Sequence, residues 1–151
     1  MADRYQGDPK MILTEDGSNF VFPGDGGQPL MDAGLENAAL ISLFTEPGWA
    51  GNVLFQDPDE QIGSGYEAAG RATITLSNLN DLENEAELAL KWMIRKKIAS
   101  RIKASSGNPN GNVRITEIVI EPPGKDAETI LLTKYGENWI NQTLDPAYKK
   151  V

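Results

Sequence analysis

The sequence contains neither cysteine nor histidine, and each absence excludes whole classes of functional site. Without cysteine, the chain can form no disulfide bond and no thiolate metal site. Without histidine, it can form no Ser-His-Asp triad, no Cys-His dyad and no imidazole metal site. Any catalytic site would depend on Asp, Glu, Lys, Tyr or Ser, so we expect no cofactor and no enzyme activity.

Long apolar runs and a positive net charge are also missing. No stretch reaches the roughly 18 apolar residues of a membrane-spanning helix, and residues 1–10 lack the apolar region of a signal peptide. The net charge of −8 argues against nucleic-acid binding, which requires a basic face. We therefore expect neither a membrane nor a nucleic-acid partner. The length of 151 residues fits one domain.

Residues 32–46 form the clearest helical segment of the sequence. Asp32 is a suitable N-cap, because its carboxylate can accept hydrogen bonds from the amides of a first helical turn. Apolar residues cover nearly every face, which is typical of a buried helix. Pro47 ends the helix, and Trp49 follows in a glycine-rich turn.

A longer helix is predicted from Asn80 to about Ser105. Asn80 and Glu83 have the spacing of a capping box, and the acidic first turns and basic last turns match the helix dipole. The basic half is either a solvated face that matches this dipole or a surface that complements an acidic protein partner. A break near residues 98–100 into two shorter helices remains open. The apolar ridge of this helix comprises Ala86, Leu90, Ile94, Ile98 and Ile102.

Alternation of apolar and polar residues predicts two antiparallel hairpins. Lys10–Thr14 and Asn19–Phe22 flank the turn Asp16-Gly17. Val113–Glu121 and Glu128–Tyr135 flank a Pro-Pro-Gly turn.

The remaining segments are predicted to be loops, arms and one ambiguous stretch. Residues 47–70 and 105–112 lack a regular pattern, and residues 71–76 fit either a short strand or an extended lead-in to the long helix. The predicted fold class is α+β, with a short buried helix and one long helix packed on a small antiparallel sheet that ends in a C-terminal hairpin, and with extended terminal arms. The predicted divisions are an N-terminal arm at 1–9, a single domain at 10–135 and a C-terminal tail at 136–151.

Three patterns could indicate ligand chemistry, and each has a plainer interpretation. The glycine clusters at 24–27 and 63–65 lack Walker and Rossmann spacing, so they are better explained as loop glycines. Asp57 begins a stretch like a calcium loop, but Ile62 and Ala68 stand where Gly and Glu are required. Paired carboxylates could hydrolyse glycosides, yet no glutamate is singled out by its sequence context.

An ordered series of motifs runs through the chain: Gly34–Thr45, Gly48-Trp49-Ala50-Gly51, Ile62-Gly63-Ser64, Ala86–Ala99 and Val113–Glu121. Together these motifs resemble the phage-Mu-type tail baseplate family, which is akin to the gpW-like baseplate wedge proteins of contractile tails. The chain departs from the family where Pro47-Gly48 follows the first helix in place of arginines and Ala50 stands in place of a second tryptophan. The Glu-Pro-Arg motif of the wider wedge family is absent, and Arg114 lies near its expected place.

The resemblance implies a structural baseplate subunit, present in copies around a six-fold axis. Such a subunit would join other baseplate wedge proteins, central hub and tube proteins and tail sheath subunits, partly by strand addition at the C-terminal hairpin. Its expected location is the tail baseplate of the virion, after assembly in the host cytoplasm. The alternatives are a small carboxylate-based cell-wall glycosidase and an assembly chaperone or adaptor.

Aromatic residues outside a core are typical interface anchors, and Trp49 and Trp139 are the better candidates here, whereas Trp92 is expected in the core. The residues that we expect at protein interfaces are Trp49, Val113, Arg114, Ile115, Val119, Ile130, Leu132, Trp139 and Tyr148.

Overall fold

The fold was analysed in a computed structural model, which describes residues 7–14, 17–20, 22, 29, 31–32, 34–109, 113–135 and 137–142. The strands are β1 Asp8–Pro9, β2 Met11–Thr14, β3 Gly17–Phe20, β4 Met31–Asp32, β5 Arg101–Gly107, β6 Val113–Glu121, β7 Glu128–Tyr135 and β8 Asn138–Gln142. The α-helices are α1 Glu36–Phe44, α2 Tyr66–Arg71 and α3 Leu76–Arg95, and short 3-10 helices lie at Ala50–Leu54 and Pro58–Glu60.

The C-terminal sheet has the strand order β5-β6-β7-β8, and every pair of neighbours is antiparallel. The predicted C-terminal hairpin is confirmed as β6 and β7, with Ile118 opposite Ile130. Both strands are internal in the sheet, because β5 pairs with β6 and β8 pairs with β7. The hairpin therefore has no free backbone edge in the isolated chain, and the expected strand addition to it does not fit this fold.

The helices pack on one face of this sheet and enclose the core. Side chains of β6 alternate, so Thr116, Ile118 and Ile120 face the helices, while Ile115 and Val119 lie on the opposite face and are half-buried. The α+β fold class is thus confirmed. The buried apolar residues are Ala39, Leu40, Leu43, Tyr66, Leu82, Ala86, Leu90, Met93, Ala99, Ala104, Ile118, Ile120, Ile130, Leu132 and Trp139.

Helix α1 begins four residues after the predicted N-cap. Asp32 lies in β4, where it pairs with Asp8, and its carboxylate accepts from Gly34 N at 3.0 Å and Asn37 N at 2.8 Å. The carboxylate therefore accepts a hydrogen bond from the first turn, although Asp32 lies outside the helix. The structure places Leu35 at the N-cap, and its amide donates to Glu128 Oε1 at 3.0 Å.

Helix α3 starts four residues earlier than predicted. Thr75 is the N-cap, and its hydroxyl accepts from Asn78 N at 3.1 Å. The predicted capping box at Asn80 and Glu83 is therefore wrong, because the helix is already under way at Asn80. Residues 72–75 form the extended lead-in that was one of the two interpretations of residues 71–76, and Arg71 belongs to α2.

The predicted end of the long helix is also wrong, because α3 stops at Arg95. Lys97 adopts a left-handed conformation with φ 59°, Lys97 N donates to Ile94 O at 3.0 Å, and Ile98 N donates to Met93 O at 2.8 Å. This bonding pattern is a Schellman motif, which usually carries glycine where Lys97 stands. Residues 101–107 then return as β5, so Ile102 and Lys103 lie on a strand, and Ser105–Gly107 is not a loop.

The N-terminal hairpin is confirmed as β2 and β3, with Met11 opposite Phe20, but β3 begins at Gly17, which the prediction had placed in the turn. It lies beside β8, where the side chain of Asn141 accepts from Leu13 N at 2.7 Å and donates to Met11 O at 3.4 Å. The predicted C-terminal tail thus contributes the last strand of the sheet. Residues 1–6 and 143–151 of the predicted arms lie outside the described residues, as does the glycine cluster at 24–27.

Candidate protein-protein interface

An ordered loop, residues 46–63, joins α1 to α2 and is closed at its base by a hydrogen bond from Ser64 N to Thr45 O of 2.9 Å. We call it the interface loop. Inside it, Asn52 Nδ2 donates to Ile62 O at 2.6 Å, and Asn52 Oδ1 accepts from Ile62 N at 2.8 Å. The amide of Asn52 thus pairs with both backbone groups of Ile62, as a strand would, and fixes the two arms of the loop together.

The glycines of the loop allow a tight turn beneath Trp49. Gly48 has φ +79°, a backbone conformation that residues other than glycine rarely adopt. A Cβ atom added to Gly51 would lie 2.1 Å from Cη2 of Trp49, so the indole lies directly against this glycine. The Gly-Trp-Ala-Gly motif is therefore one compact unit, in which the indole of Trp49 packs on Gly51.

The loop exposes a cluster of apolar side chains. Val53 is 85% exposed and Leu54 is 81% exposed, and no residue of the 3-10 helix Ala50–Leu54 is buried. Trp49 and Phe55 are partly exposed beside them. Single exposed apolar residues are ordinary, but a contiguous group on an ordered loop is typical of a protein interaction site.

A pocket of about 230 Å³ lies between the interface loop and α3. Its apolar lining is Phe55, Ile62 and Trp92, and its polar lining is an ion pair in which Lys96 Nζ lies 3.6 Å from a carboxylate oxygen of Glu60. The volume is below the roughly 300–1,000 Å³ of ligand pockets, so the pocket suits one large side chain better than a cofactor.

Trp92 is held in the pocket wall by a hydrogen bond to Ser42 of α1. Its Nε1 donates to Ser42 Oγ at 3.0 Å, and the Ser42 hydroxyl donates to Ala38 O at 2.8 Å. Trp92 packs against the core without being fully buried. A rigid wall of this kind is typical of the pockets that receive anchor residues at interfaces.

Two cations lie side by side on the core face of the sheet. Arg114 and Lys134 are direct cross-strand neighbours and are 7% and 8% exposed. Burial lowers the pKa of Arg114, and burial together with the nearby charge of Arg114 lowers the pKa of Lys134. Lys134 Nζ donates to Gly70 O at 2.7 Å, where the end of α2 presents partly negative carbonyls. Lys134 therefore ties α2 to the sheet.

The structure separates the nine expected interface residues into distinct groups. Trp49 is in the interface loop, whereas Val113, Ile115 and Val119 are half-buried on the sheet face opposite the helices. Tyr148 lies outside the described residues. The remaining four, Arg114, Ile130, Leu132 and Trp139, are buried on the core face.

Sequence reasoning missed Val53, Leu54 and Phe55. A sequence signal for an exposed apolar group was present. These three apolar residues are consecutive, and the surrounding segment is rich in Gly, Pro, Asn and Asp and lacks the periodicity of a strand or helix. Such a run is equally compatible with a buried segment. It is the 3-10 geometry of residues 50–54 that turns these side chains outward.

The residues that the structure describes include neither a candidate metal site nor a membrane-spanning helix. Within those residues, no group of three or more acidic side chains is arranged to hold a metal ion. No described helix is long and apolar enough to cross a membrane.

Comparison with known proteins places the chain among phage proteins. It is 31% identical over 105 residues to the Mu-like prophage FluMu protein gp46 of Haemophilus influenzae, an alignment that covers 66% of this chain and 76% of that protein. No protein-family model matches the chain. No solved structure matches it with significance. At this identity and coverage, the chain belongs to the family of the Mu-like prophage protein gp46.

Proposed function

We propose that this Mu-like phage protein has a structural or morphogenetic role and acts as a subunit of the baseplate of a contractile tail. In this role it joins other wedge proteins, hub or tube proteins and sheath subunits by protein-protein contacts, in copies around a six-fold axis. It acts without catalysis, in the virion. The family relationship supports the phage role, and the motif series described above supports the baseplate assignment.

The observation that carries the proposal is the exposed apolar cluster of the interface loop. Val53 and Leu54 contribute little to the stability of the chain, because each leaves more than four-fifths of its surface in water. Full burial of such a side chain is worth about 1.5–3 kcal/mol. A partner that covers both side chains would therefore gain several kcal/mol of binding free energy, because folding leaves them exposed.

The test compares the wild-type chain with the double variant V53S/L54S. Each is produced as the source of this protein in contractile particles, and the particles are then purified. We expect the variant to fold with nearly unchanged stability, since surface substitutions usually stay within about 0.5 kcal/mol. We expect its amount per tube subunit, measured by mass spectrometry, to fall at least about tenfold, because a loss of 1.4 kcal/mol in binding already gives that factor. The matched control is L76S/L88S, which changes two exposed leucines of α3.

Each outcome separates the candidate functions. Wild-type chain at a fixed ratio in multiples of six, with V53S/L54S depleted and L76S/L88S retained, supports the baseplate proposal. Incorporation of V53S/L54S at the wild-type ratio would remove the interface loop from the proposal. Absence of the wild-type chain from complete particles would favour the assembly chaperone instead.

A further inference from the structure

The C-terminal sheet has a second apolar face, opposite the one on which the described helices pack. We call it the outer face. An antiparallel sheet with one face in water normally carries polar side chains on that face. Here three neighbouring strands place apolar side chains on it, so this face is suited to a cover. Its half-buried apolar residues are Val113, Ile115 and Val119 of β6, Leu131 of β7 and Ile140 of β8.

The centre of the outer face is shielded from water. Thr133 of β7 lies directly between Ile115 and Ile140 and is 2% exposed. In the described part of the chain, its hydroxyl has no hydrogen-bond partner. Because a threonine on a solvated sheet face would bond to water, its burial shows that the apolar patch is continuous across the three strands.

The chain leaves the sheet beside this patch. Gln142, the last residue of β8, lies opposite Leu131, and Leu131 lies opposite Glu117 of β6. Neighbouring strands are about 4.8 Å apart, so Glu117 lies about 10 Å from Gln142 across the sheet. Six further residues span about 20 Å when extended and about 9 Å when helical. Residues 143–148 are therefore long enough in either form to reach β6 from the end of β8.

The sequence of residues 143–151, which lie outside the described residues, matches the outer face in polarity and charge. Its apolar residues recur at spacings of three and four, which is the spacing of one side of a helix. Lys149 and Lys150 add two positive charges to the segment. On the outer face, the carboxylate of Glu117 is exposed among the apolar side chains and would attract them. The apolar residues of the segment are Leu144, Ala147, Tyr148 and Val151.

We propose that residues 143–151 fold back over the outer face of their own sheet, with Leu144 and Tyr148 on the apolar patch and the lysines beside Glu117. The segment begins at the edge of the sheet that it covers, so its effective concentration is in the millimolar range, which favours it over a free partner. While the segment is seated, the outer face is closed to other proteins, and a neighbour gains access only by displacing it. The proposal is independent of the baseplate role, since both surfaces belong to one chain.

The test measures the reactivity of one introduced thiol, because the chain has no cysteine of its own. I115C places the thiol on the outer face, and its alkylation rate is measured alone and in the background L144S/Y148S. We expect the rate to rise at least about tenfold in L144S/Y148S, because the weakened segment leaves the face open. The matched control T143A/D145A changes two polar residues of the same segment and should leave the rate unchanged. A reference thiol on α3, L88C, should react equally in all three backgrounds.

A disulfide identifies the occupant of the outer face. In I115C/Y148C we expect oxidation to join the two thiols within one chain, because the proposal brings both positions together. The pair L88C/Y148C should stay reduced under the same conditions. A disulfide between two chains would assign the outer face to a second copy and overturn the proposal. An I115C thiol that reacts equally fast in every background, with no disulfide to Y148C, would also overturn it.

A charge reversal keeps the test decisive if L144S/Y148S does not fold. Glu117 is exposed, so E117K should fold normally. We expect E117K to speed the alkylation of I115C, because it places a third positive charge beside Lys149 and Lys150. In E117K/K149E/K150E the opposite charges are restored with their signs exchanged, and the rate should return to that of I115C alone. Equal rates in all three proteins would overturn the proposal.

Discussion

Trp49 and Trp139 both lie against a glycine, but one is 46% exposed and the other is 7% exposed. An added Cβ atom would lie 2.1 Å from the Trp49 ring at Gly51 and 2.8 Å from the Trp139 ring at Gly70. In both places the ring packs directly on a glycine, but Gly51 is a near neighbour of Trp49 in sequence, whereas Gly70 belongs to α2.

The two tryptophans differ in the contacts that other elements of the fold make with their rings. The Trp139 ring lies 5.0 Å from the ring of Tyr66 and 6.1 Å from that of Phe44, measured between centroids. These residues belong to α2 and α1, so the helices seal this tryptophan against the sheet. Burial also raises the pKa of the Tyr66 phenol far above its ordinary value. Trp49 covers Gly51 from the surface, where a partner can reach it.

The largest expected effect on stability is the difference between the two tryptophan-to-alanine variants. W139A should lower the free energy of unfolding by about 3–5 kcal/mol, because it opens a cavity among Phe44, Tyr66 and Gly70. W49A should lower it by less, because 46% of the surface of Trp49 is already exposed to water. Urea denaturation of both variants measures the difference. Equal losses would contradict the assignment of one tryptophan to the core and the other to the surface.

The two glycines offer a smaller but sharper version of this test. G70A should cost about 1–3 kcal/mol, since the new methyl group meets a ring that cannot move. G51A should cost less than about 1 kcal/mol, because the exposed Trp49 ring can swing away. In a W139A background, the cost of G70A should largely disappear, and a double-mutant cycle measures this coupling. Additive losses would mean that the contact between Gly70 and Trp139 is not the cause.

The smallest effect concerns pH and the cation beside Gly70. Burial lowers the pKa of Lys134 from its ordinary value of 10.5, so the native state binds fewer protons than the unfolded state below that value. The wild type should therefore gain stability relative to K134M as the pH rises from neutral toward 10.5. The difference should be constant at lower pH, where both states are protonated. Denaturation curves across this range measure it, with K91M at an exposed lysine as control. A stability difference that does not change with pH would show that the side chain of Lys134 is open to water.

Local patterns predicted β6 and β7 with their observed bounds. Both strands alternate along their length, and the Pro-Pro-Gly turn between them allows little else. The end of α3 could not be predicted in this way, because Lys97 occupies the left-handed position where glycine would have signalled a stop. Ile98 and Ile102 misled the prediction, since a spacing of four residues fits both a helical ridge and one face of a strand.

The candidate site was predictable only in part. Trp49 and the surrounding Gly-Trp-Ala-Gly motif could be selected from the sequence, because the aromatic residue stands in a turn. The burial of Trp139 depends on Phe44 and Tyr66, which are remote in sequence, so no local signal distinguishes it from Trp49. The hydrogen bond of 2.7 Å from Ser106 N to Glu83 Oε1 was hidden for a related reason, since Ser106 lies on a strand that the prediction had placed in a loop.

Asn141 has a consequence for the order in which the molecule is completed. Its side chain binds the backbone of Leu13, 128 residues earlier in the chain, and also contacts Glu36 of α1 at 3.3 Å. Contacts between such distant residues form only after the full cost of loop closure has been met. Met11 N also donates to Asn37 Oδ1 of α1 at 2.9 Å, so the hairpin has one partner close in sequence and one far away. During synthesis, β2 can contact α1 early, but it can complete its contacts with β8 only after residue 141 has left the ribosome.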